Sequence, residues 1–198
     1  MPEHPEQTIR LFPATRQAVF TRRLNRFVLE CVIDGKKTPA YLPNPGRLRE
    51  LLLPERILYL VENPPTGKYR YTAVAVKRNG KPILLHTHLA NSVVRWLLMN
   101  KFIPELSDAA VVRPEIAVGH SRFDFLLERD GKPFLLEVKS CTLYENDIAF
   151  FPDAVTDRGR RHLLELAEKA RQGTPGGVVI LIHWPLTRYF LPDYHTDF

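Results

Sequence analysis

The chain has 198 residues, 44% of them hydrophobic and 25% charged, as in a globular protein with one large domain or two small ones. Because we find neither an apolar run long enough to span a bilayer nor a signal peptide, we expect a cytoplasmic protein without a membrane partner. The formal net charge of +6 favours polyanionic partners, although a merely soluble basic protein explains it equally well.

Alternation typical of strands dominates the first part of the chain, after a polar lead-in over residues 1–12. Residues 26–35 end in an Asp-Gly turn and place alternate residues on one face, namely Phe27, Leu29, Cys31 and Ile33. Further strands are predicted over residues 36–43 and 56–62 and in a hairpin around Asn79-Gly80. Short strands at regular spacing indicate a compact barrel of about five strands, with a domain boundary near residue 82.

One short helix is predicted within this barrel, over residues 44–54. Asn44 is a suitable helix cap and Pro45 suits the first helical position. The leucines that follow form an apolar stripe, and Pro54 ends the helix.

Helices and strands mix in the second part, residues 83–198. The first predicted helix covers residues 87–102, with an apolar stripe formed by Leu89, Val93, Trp96 and Leu97. Strands follow over residues 111–118, 122–128 and 133–140. A second helix ends at Gly173, and the continuous apolar residues 176–184 predict a strand that is buried on both faces. This order indicates a mixed α/β domain.

The segment SRFDFLLERDGKPFLLEVKS, residues 121–140, predicts a hairpin that carries charged residues inside two apolar strands. If Asp130-Gly131 is its two-residue turn, Asp124 lies opposite Glu137, and Lys139 lies on the same face as Glu137. The opposite face is then entirely apolar and consists of Phe123, Phe125, Leu127, Phe134, Leu136 and Val138.

Two directly opposed carboxylates are unfavourable unless a positive group lies between them. A divalent cation such as Mg²⁺ or Mn²⁺ fits this position, since one or two carboxylates, waters and a substrate phosphate commonly hold it. Lys139 could then contact the scissile phosphate or position the attacking water. The competing interpretation is a solvated, charge-balanced strand face.

An Asp followed by Glu-x-Lys on adjacent strands resembles the core of the PD-(D/E)XK nuclease superfamily. The blocks LPNPGRLRELL, GHSRFDFLL, LLEVKSCTL and FPDAVTDRGRRHLLEL more specifically resemble the sugar fermentation stimulation protein A (SfsA) family of bacteria and archaea. This resemblance implies an N-terminal OB-like β-barrel followed by a nuclease-like three-layer α/β domain. It also implies DNA binding without strong sequence preference and a link to the regulation of maltose and other sugar metabolism.

The resemblance assigns catalytic roles to Asp124, Glu137 and Lys139, with metal binding by the two carboxylates and Glu115 as an additional candidate ligand. Four further motif positions are Asn44, Gly46, Asn91 and Asp153. Asn91 stands where many nucleases of the superfamily have a Glu, and Pro45 stands where the family has a Thr. The hypotheses are a metal-dependent nuclease, a DNA-binding regulator without catalysis, and an RNA-processing or repair protein.

Two groups of basic side chains are predicted to contact nucleic acid, with DNA or RNA as the partner. The barrel contributes Arg22, Arg23, Arg26 and Arg47, and the α/β domain contributes Arg122, Arg158, Arg161 and His162. Cations in the first turns of a helix oppose its dipole, which favours a bound anion there. A solvated basic edge and a structural His162 are the alternatives. The sequence leaves the oligomeric state open, with a homodimer among the alternatives.

Overall fold

The computed structural model describes residues 8–153, 155 and 157–196 of the chain. It divides the chain into two compact units, with the boundary between Leu89 and Ala90. The first unit has one sheet, the second has two, and each unit has its own buried apolar residues. Within the described residues, no helix is long and apolar enough to cross a lipid bilayer.

The first unit is a closed barrel. Its strands are β1 (Arg16–Asn25), β2 (Val28–Ile33), β3 (Lys36–Tyr41), β4 (Ile57–Glu62), β5 (Tyr71–Arg78) and β6 (Lys81–Leu84). They follow the order β3-β2-β1-β4-β5-β6, and a parallel contact between β3 and β5 closes the first five into the expected barrel. The sequence pattern does not predict β1, because only Ala18 and Phe20 of its ten residues are buried.

The hairpin turns follow the sequence prediction. Asp34-Gly35, Asn79-Gly80 and Asp130-Gly131 all have positive φ at both residues, as two-residue hairpin turns require. In β2, Leu29, Cys31 and Ile33 are buried as expected, whereas Phe27 precedes the strand and is exposed.

The predicted helix over residues 44–54 is wrong. Asn44 Oδ1 instead accepts a hydrogen bond from the Gly46 backbone N–H at 2.9 Å, which forms a local turn. Asn44 is 3% exposed, and its Nδ2 donates to Leu85 O at 3.0 Å. The Arg23 side chain binds the Asn44, Gly46 and Arg47 carbonyls, which a helix would need for its own hydrogen bonds. A single turn at Leu48–Leu52 remains.

The second unit contains a four-stranded sheet in the order β12-β9-β8-β7 and a small sheet in the order β10-β11-β13. Its elements are α1 (Ala90–Met99), β7 (Ala110–Val118), β8 (Ser121–Arg129), β9 (Lys132–Cys141), β10 (Tyr144–Glu145), β11 (Ile148–Phe151), α2 (Asp157–Arg171), β12 (Gly176–Ile182) and β13 (Tyr189–Pro192). Helix α1 packs on Leu136, and α2 packs on Leu135 through Leu166. Consecutive strand residues face opposite sides, so the two helices cover opposite faces and form three layers.

Two details of this unit differ from the sequence prediction. In α1 the buried residues are Ala90, Val94 and Leu98, so the core stripe is displaced from the predicted one. Strand β12 is an edge strand rather than one buried on both faces, and Val178 is 40% exposed. A continuous apolar run does not distinguish a central strand from an edge strand that lines a cleft.

Candidate active site

The β8–β9 hairpin has the predicted register. Its pairs run from Arg129↔Lys132 to Phe125↔Leu136, which confirms the turn at Asp130-Gly131. Asp124 and Glu137 occupy the next position outward, just beyond the last paired residues. The sequence pattern therefore located the two carboxylates at one end of the hairpin.

The Asp124 carboxylate accepts one hydrogen bond from the backbone of β9 and one from a side chain of α1. Its Oδ2 accepts from the Val138 backbone N–H at 2.7 Å, and its Oδ1 accepts from Asn91 Nδ2 of α1 at 2.7 Å. Burial raises the pKa of Asp124, and the nearby Glu137 charge raises it further, against the effect of the two hydrogen bonds. The side chain is held in one orientation while its charged form is disfavoured.

The strand changes its orientation at Asp124. Phe123 packs with Leu135 and Leu166 under α2, whereas Phe125 packs under α1. The prediction that Phe123 shares one apolar face with Phe125 is therefore wrong. On the neighbouring strand, Glu115 has a φ of 50°, in the left-handed region, between the pairs that flank Asp124. Both strands are irregular here, as is common beside active sites.

Glu137 is the most buried charged group of the site, at 3% exposure. Its Oε1 accepts from Lys139 Nζ at 2.5 Å and contacts His162 Nδ1 at 2.8 Å. Because a carboxylate only accepts, the ring nitrogen Nδ1 of His162 is the donor. The other oxygen, Oε2, is buried and has no hydrogen-bond partner among the described residues. A buried acceptor without a partner is energetically costly unless a water molecule or an ion binds it.

These groups line a cleft of about 810 Å³ within the second unit. The charged or polar side chains along it are Glu115, Arg122, Asp124, Glu137, Lys139, Arg158, Arg160 and His162. Two predicted residues, Arg161 and Asp153, are exposed and are absent from this lining. The structure thus brings Arg122 and Arg158 to the carboxylates and leaves Arg161 outside.

Glu115 lies at the cleft but pairs with Arg122, whose Nη1 is 3.6 Å from Glu115 Oε2, and both side chains are mostly exposed. Across residues 8–153, 155 and 157–196, no group of three or more His, Cys, Asp or Glu side chains could hold a metal ion. Glu115 is therefore not gathered with Asp124 and Glu137 into a three-ligand cluster. A cation here would rely on two carboxylates together with water or substrate.

His162 lines the cleft and is bound to Glu137 through one of its two ring nitrogens. It is 6% exposed and buries its ring against Glu137, with Phe123 nearby at 6.3 Å between ring centroids. The sequence contains a signal for the burial of His162, because His162 and Leu166 are four residues apart on α2 and share its inward face. The contact between His162 and Glu137 itself depends on residues 25 positions apart.

The Arg23 side chain is bound within the barrel. Its guanidinium donates all five N–H groups to backbone carbonyls, at distances of 2.5–3.2 Å. Burial and the nearby Arg26 lower its pKa. Because all five donors are bound within the barrel, Arg23 joins β1 to the loop over residues 44–47, and a phosphate contact would require it to break some of these bonds.

The other three predicted arginines of the barrel, Arg22, Arg26 and Arg47, are exposed. Arg22 pairs with Glu30 at 3.1 Å, and Arg26 donates to Pro45 O at 3.3 Å and lies over the Phe27 ring. Arg47 extends into solvent on the loop that Arg23 holds. These three side chains keep N–H groups that a phosphate could reach.

Comparison with known proteins identifies relatives along nearly the whole chain. Two family models match it, the SfsA N-terminal OB domain over residues 21–85 and the sugar fermentation stimulation protein RE domain over residues 88–198. Sugar fermentation stimulation protein homologues from Clostridium tetani and Saccharolobus solfataricus are 36% and 37% identical, over 92% and 91% of this chain and 80% and 69% of their own lengths.

A solved structure shares the fold. Pyrococcus furiosus SfsA in complex with Ca²⁺ superimposes with a TM-score of 0.84 at 32% sequence identity. The match covers 93% of this chain and 79% of that protein. The agreement therefore extends over both units of the chain.

Proposed function

The chain belongs to the sugar fermentation stimulation protein (SfsA) family, and from that premise we propose that it binds nucleic acid and hydrolyses phosphodiester bonds in the cleft of its second unit. The observation that carries this proposal is Glu137, a buried carboxylate with Lys139 and His162 on one oxygen and no partner among the described residues for the other. A purely structural ion pair would not require an unsatisfied oxygen beside a cleft.

Asp124 and Glu137 would hold a divalent cation, Mg²⁺ or Mn²⁺ in this proposal. The unpartnered Glu137 Oε2 fits an oxygen-preferring cation, and the relative from Pyrococcus furiosus was determined in complex with Ca²⁺. When bound, such a cation supplies charge neutralisation at a phosphate oxygen and makes a water molecule more acidic.

The chain's own side chains then have distinct tasks. Lys139 uses one contact on Glu137, and its ammonium has two further N–H groups for a phosphate oxygen or the attacking water. His162 holds Glu137 Oε1 and so orients the carboxylate. Arg122 and Arg158 at the cleft add positive charge that attracts the phosphate backbone.

Nucleic-acid binding by the barrel is the second part of the proposal. Arg22, Arg26 and Arg47 are exposed cations on an OB barrel, and contacts of this kind bind phosphates without reading sequence. Replacing Arg22 and Arg26 together by Glu should weaken binding to DNA and flatten the dependence of affinity on salt concentration. An unchanged slope would exclude these arginines as phosphate contacts.

The test of hydrolysis uses purified protein with labelled single- and double-stranded DNA and RNA, in Mg²⁺, Mn²⁺ or EDTA. We expect metal-dependent cutting that Asp124→Asn and Lys139→Ala abolish. Asp108→Asn is the matched control, because Asp108 is an exposed carboxylate paired with Arg129 at 2.9 Å and absent from the cleft lining. Loss of cutting in the control as well would point to a folding defect instead.

A DNA-binding regulator without catalysis is the second candidate. The observation that favours it is the Asn91 amide, which donates a hydrogen bond to Asp124 Oδ1. This bond occupies a carboxylate oxygen that a metal ion would otherwise reach. If no substrate is cut in any metal, while salt-sensitive binding is unaffected by Asp124→Asn and Lys139→Ala, the regulator is correct and the hydrolase is excluded.

A further inference from the structure

The cleft that contains Asp124, Glu137 and Lys139 has an apolar side that the proposed hydrolysis does not use. In the parallel pairing of β12 with β9, Val178 lies beside Glu137 and Ile180 lies beside Lys139. Residues paired in this way project from the same face of the sheet, with their backbones about 5 Å apart. Apolar surface therefore begins directly next to the carboxylate and the ammonium group.

This surface continues onto the small sheet and α2. Phe151 at the end of β11 and Phe190 in β13 both line the cleft, and their two strands pair in parallel. Phe190 is 38% exposed, Val178 is 40% exposed, and Leu164 of α2 is 64% exposed. Large apolar side chains that stay exposed together inside a concave site indicate a ligand with an apolar part.

A phosphodiester backbone offers only charged and polar atoms to such a surface. The apolar part of a nucleic acid is the face of its bases, and in a duplex the neighbouring bases cover those faces. An unpaired nucleotide exposes a base face beside its phosphate, and base stacking on aromatic side chains is how proteins hold single strands. The cleft volume of about 810 Å³ suits a small number of nucleotides and could not enclose a double helix.

We propose that this cleft takes an unpaired nucleotide, with the base against Phe190 and the phosphate toward Lys139, so that single-stranded nucleic acid is the substrate class of the site. The inference rests on the proposed function, since it assigns the substrate of the same cleft. A duplex whose backbone merely lies across the mouth of the cleft is the competing outcome.

The experiment measures affinity by fluorescence anisotropy, in EDTA so that no strand is cut and at one fixed salt concentration. The probes are a labelled single strand, a strand of equal length with abasic sites in place of its bases, and a paired duplex. The proteins are the wild type, Phe190→Ala, Phe190→Trp and Tyr189→Ala. Tyr189 is the matched control, because it neighbours Phe190 in β13, is 62% exposed and does not line the cleft.

We expect Phe190→Ala to weaken binding of the base-containing strand by about five- to 150-fold, the range of one lost stacking contact. Its affinity for the abasic strand and the duplex should match that of the wild type. Phe190→Trp and Tyr189→Ala should both retain wild-type affinity for all three probes. If Phe190→Ala does not fold, as judged by circular dichroism, Phe190→Leu replaces it, because leucine remains apolar but cannot stack.

Equal effects of Phe190→Ala on the base-containing and abasic strands, or no effect on either, overturn the inference. The wild-type preference for bases is not sufficient by itself, since aromatic residues of the barrel could also produce it; the difference made by Phe190 is the decisive result. A Phe190-dependent base preference without any cutting overturns only the hydrolase. Cutting without that preference overturns only this inference.

Discussion

Replacing Arg23 by Met removes a guanidinium that binds five backbone carbonyls of the barrel and leaves an aliphatic stem of similar length. Two of these bonds, to Asn44 O at 3.0 Å and Gly46 O at 2.7 Å, are partly buried. The other three lie in exposed surroundings, where water can replace the guanidinium.

The expected loss of stability follows from the two partly buried bonds. A buried hydrogen bond to a charged donor contributes about 1.5–3 kcal/mol. Arg23 is only partly buried, so we discount each bond and expect a decrease of about 2–3 kcal/mol in the free energy of unfolding. Arg23→Lys should recover little of this, because an ammonium has three donors and cannot reproduce the planar five-donor geometry.

The assay is urea unfolding followed by far-UV circular dichroism, with hydrogen exchange of the β1 and β2 amides to locate the effect. Tryptophan fluorescence is unsuitable for the barrel, since Trp96 and Trp184 both belong to the second unit. The matched control is Arg22→Met, which removes the neighbouring exposed side chain and should cost much less. Equal losses in the two variants would refute the assignment of Arg23 as the residue that holds the loop.

Three further predictions concern the second unit. Mn²⁺ at ten times its Kd should raise the free energy of unfolding by about 1.4 kcal/mol and the Tm by about 3–6 °C. Calorimetry should show no such shift in Glu137→Gln, and an equal shift there contradicts metal binding by Glu137. Burial lowers the pKa of His183 to about 4. Between this pH and the usual pKa of histidine, the unfolded chain therefore binds a proton at His183 that the folded protein does not bind. Stability should therefore fall as the pH decreases from about 6.5 to about 4, and His183→Gln should remove about 2–3 kcal/mol of that loss; parallel pH profiles of the two proteins would contradict this. Gly176→Ala should destabilise by about 1–3 kcal/mol in urea unfolding, because its Cβ would lie 2.5 Å from Leu166 Cδ1 and 2.8 Å from Leu135 O; wild-type stability would show that both neighbours can move.

The sequence predicted the hairpin register because that register depends on a few adjacent residues. Asp130-Gly131 can adopt positive φ at both positions, and the two-residue turn then determines the pairs from Arg129↔Lys132 to Phe125↔Leu136. The same local rule explains why the turns at Asp34-Gly35 and Asn79-Gly80 in the barrel were also predicted correctly. The failed helix over residues 44–54 shows the limit, since its capping signals are local but Arg23, about 20 residues away, binds the carbonyls that the helix needs.

By itself the sequence determined the Asp-Gly and Asn-Gly hairpin turns, the pairing of the strands next to them, and the position of Asp124 and Glu137 at one end of a hairpin. Only the tertiary structure decided the hydrogen-bond partners, His162 for Glu137 and Asn91 for Asp124. It also decided that Val178 lies in an edge strand beside a cleft. The physical reason is the distance along the sequence over which each property is determined. Backbone conformation responds to neighbouring residues, whereas burial, hydrogen-bond partners and pKa values depend on groups that packing brings together from distant parts of the chain.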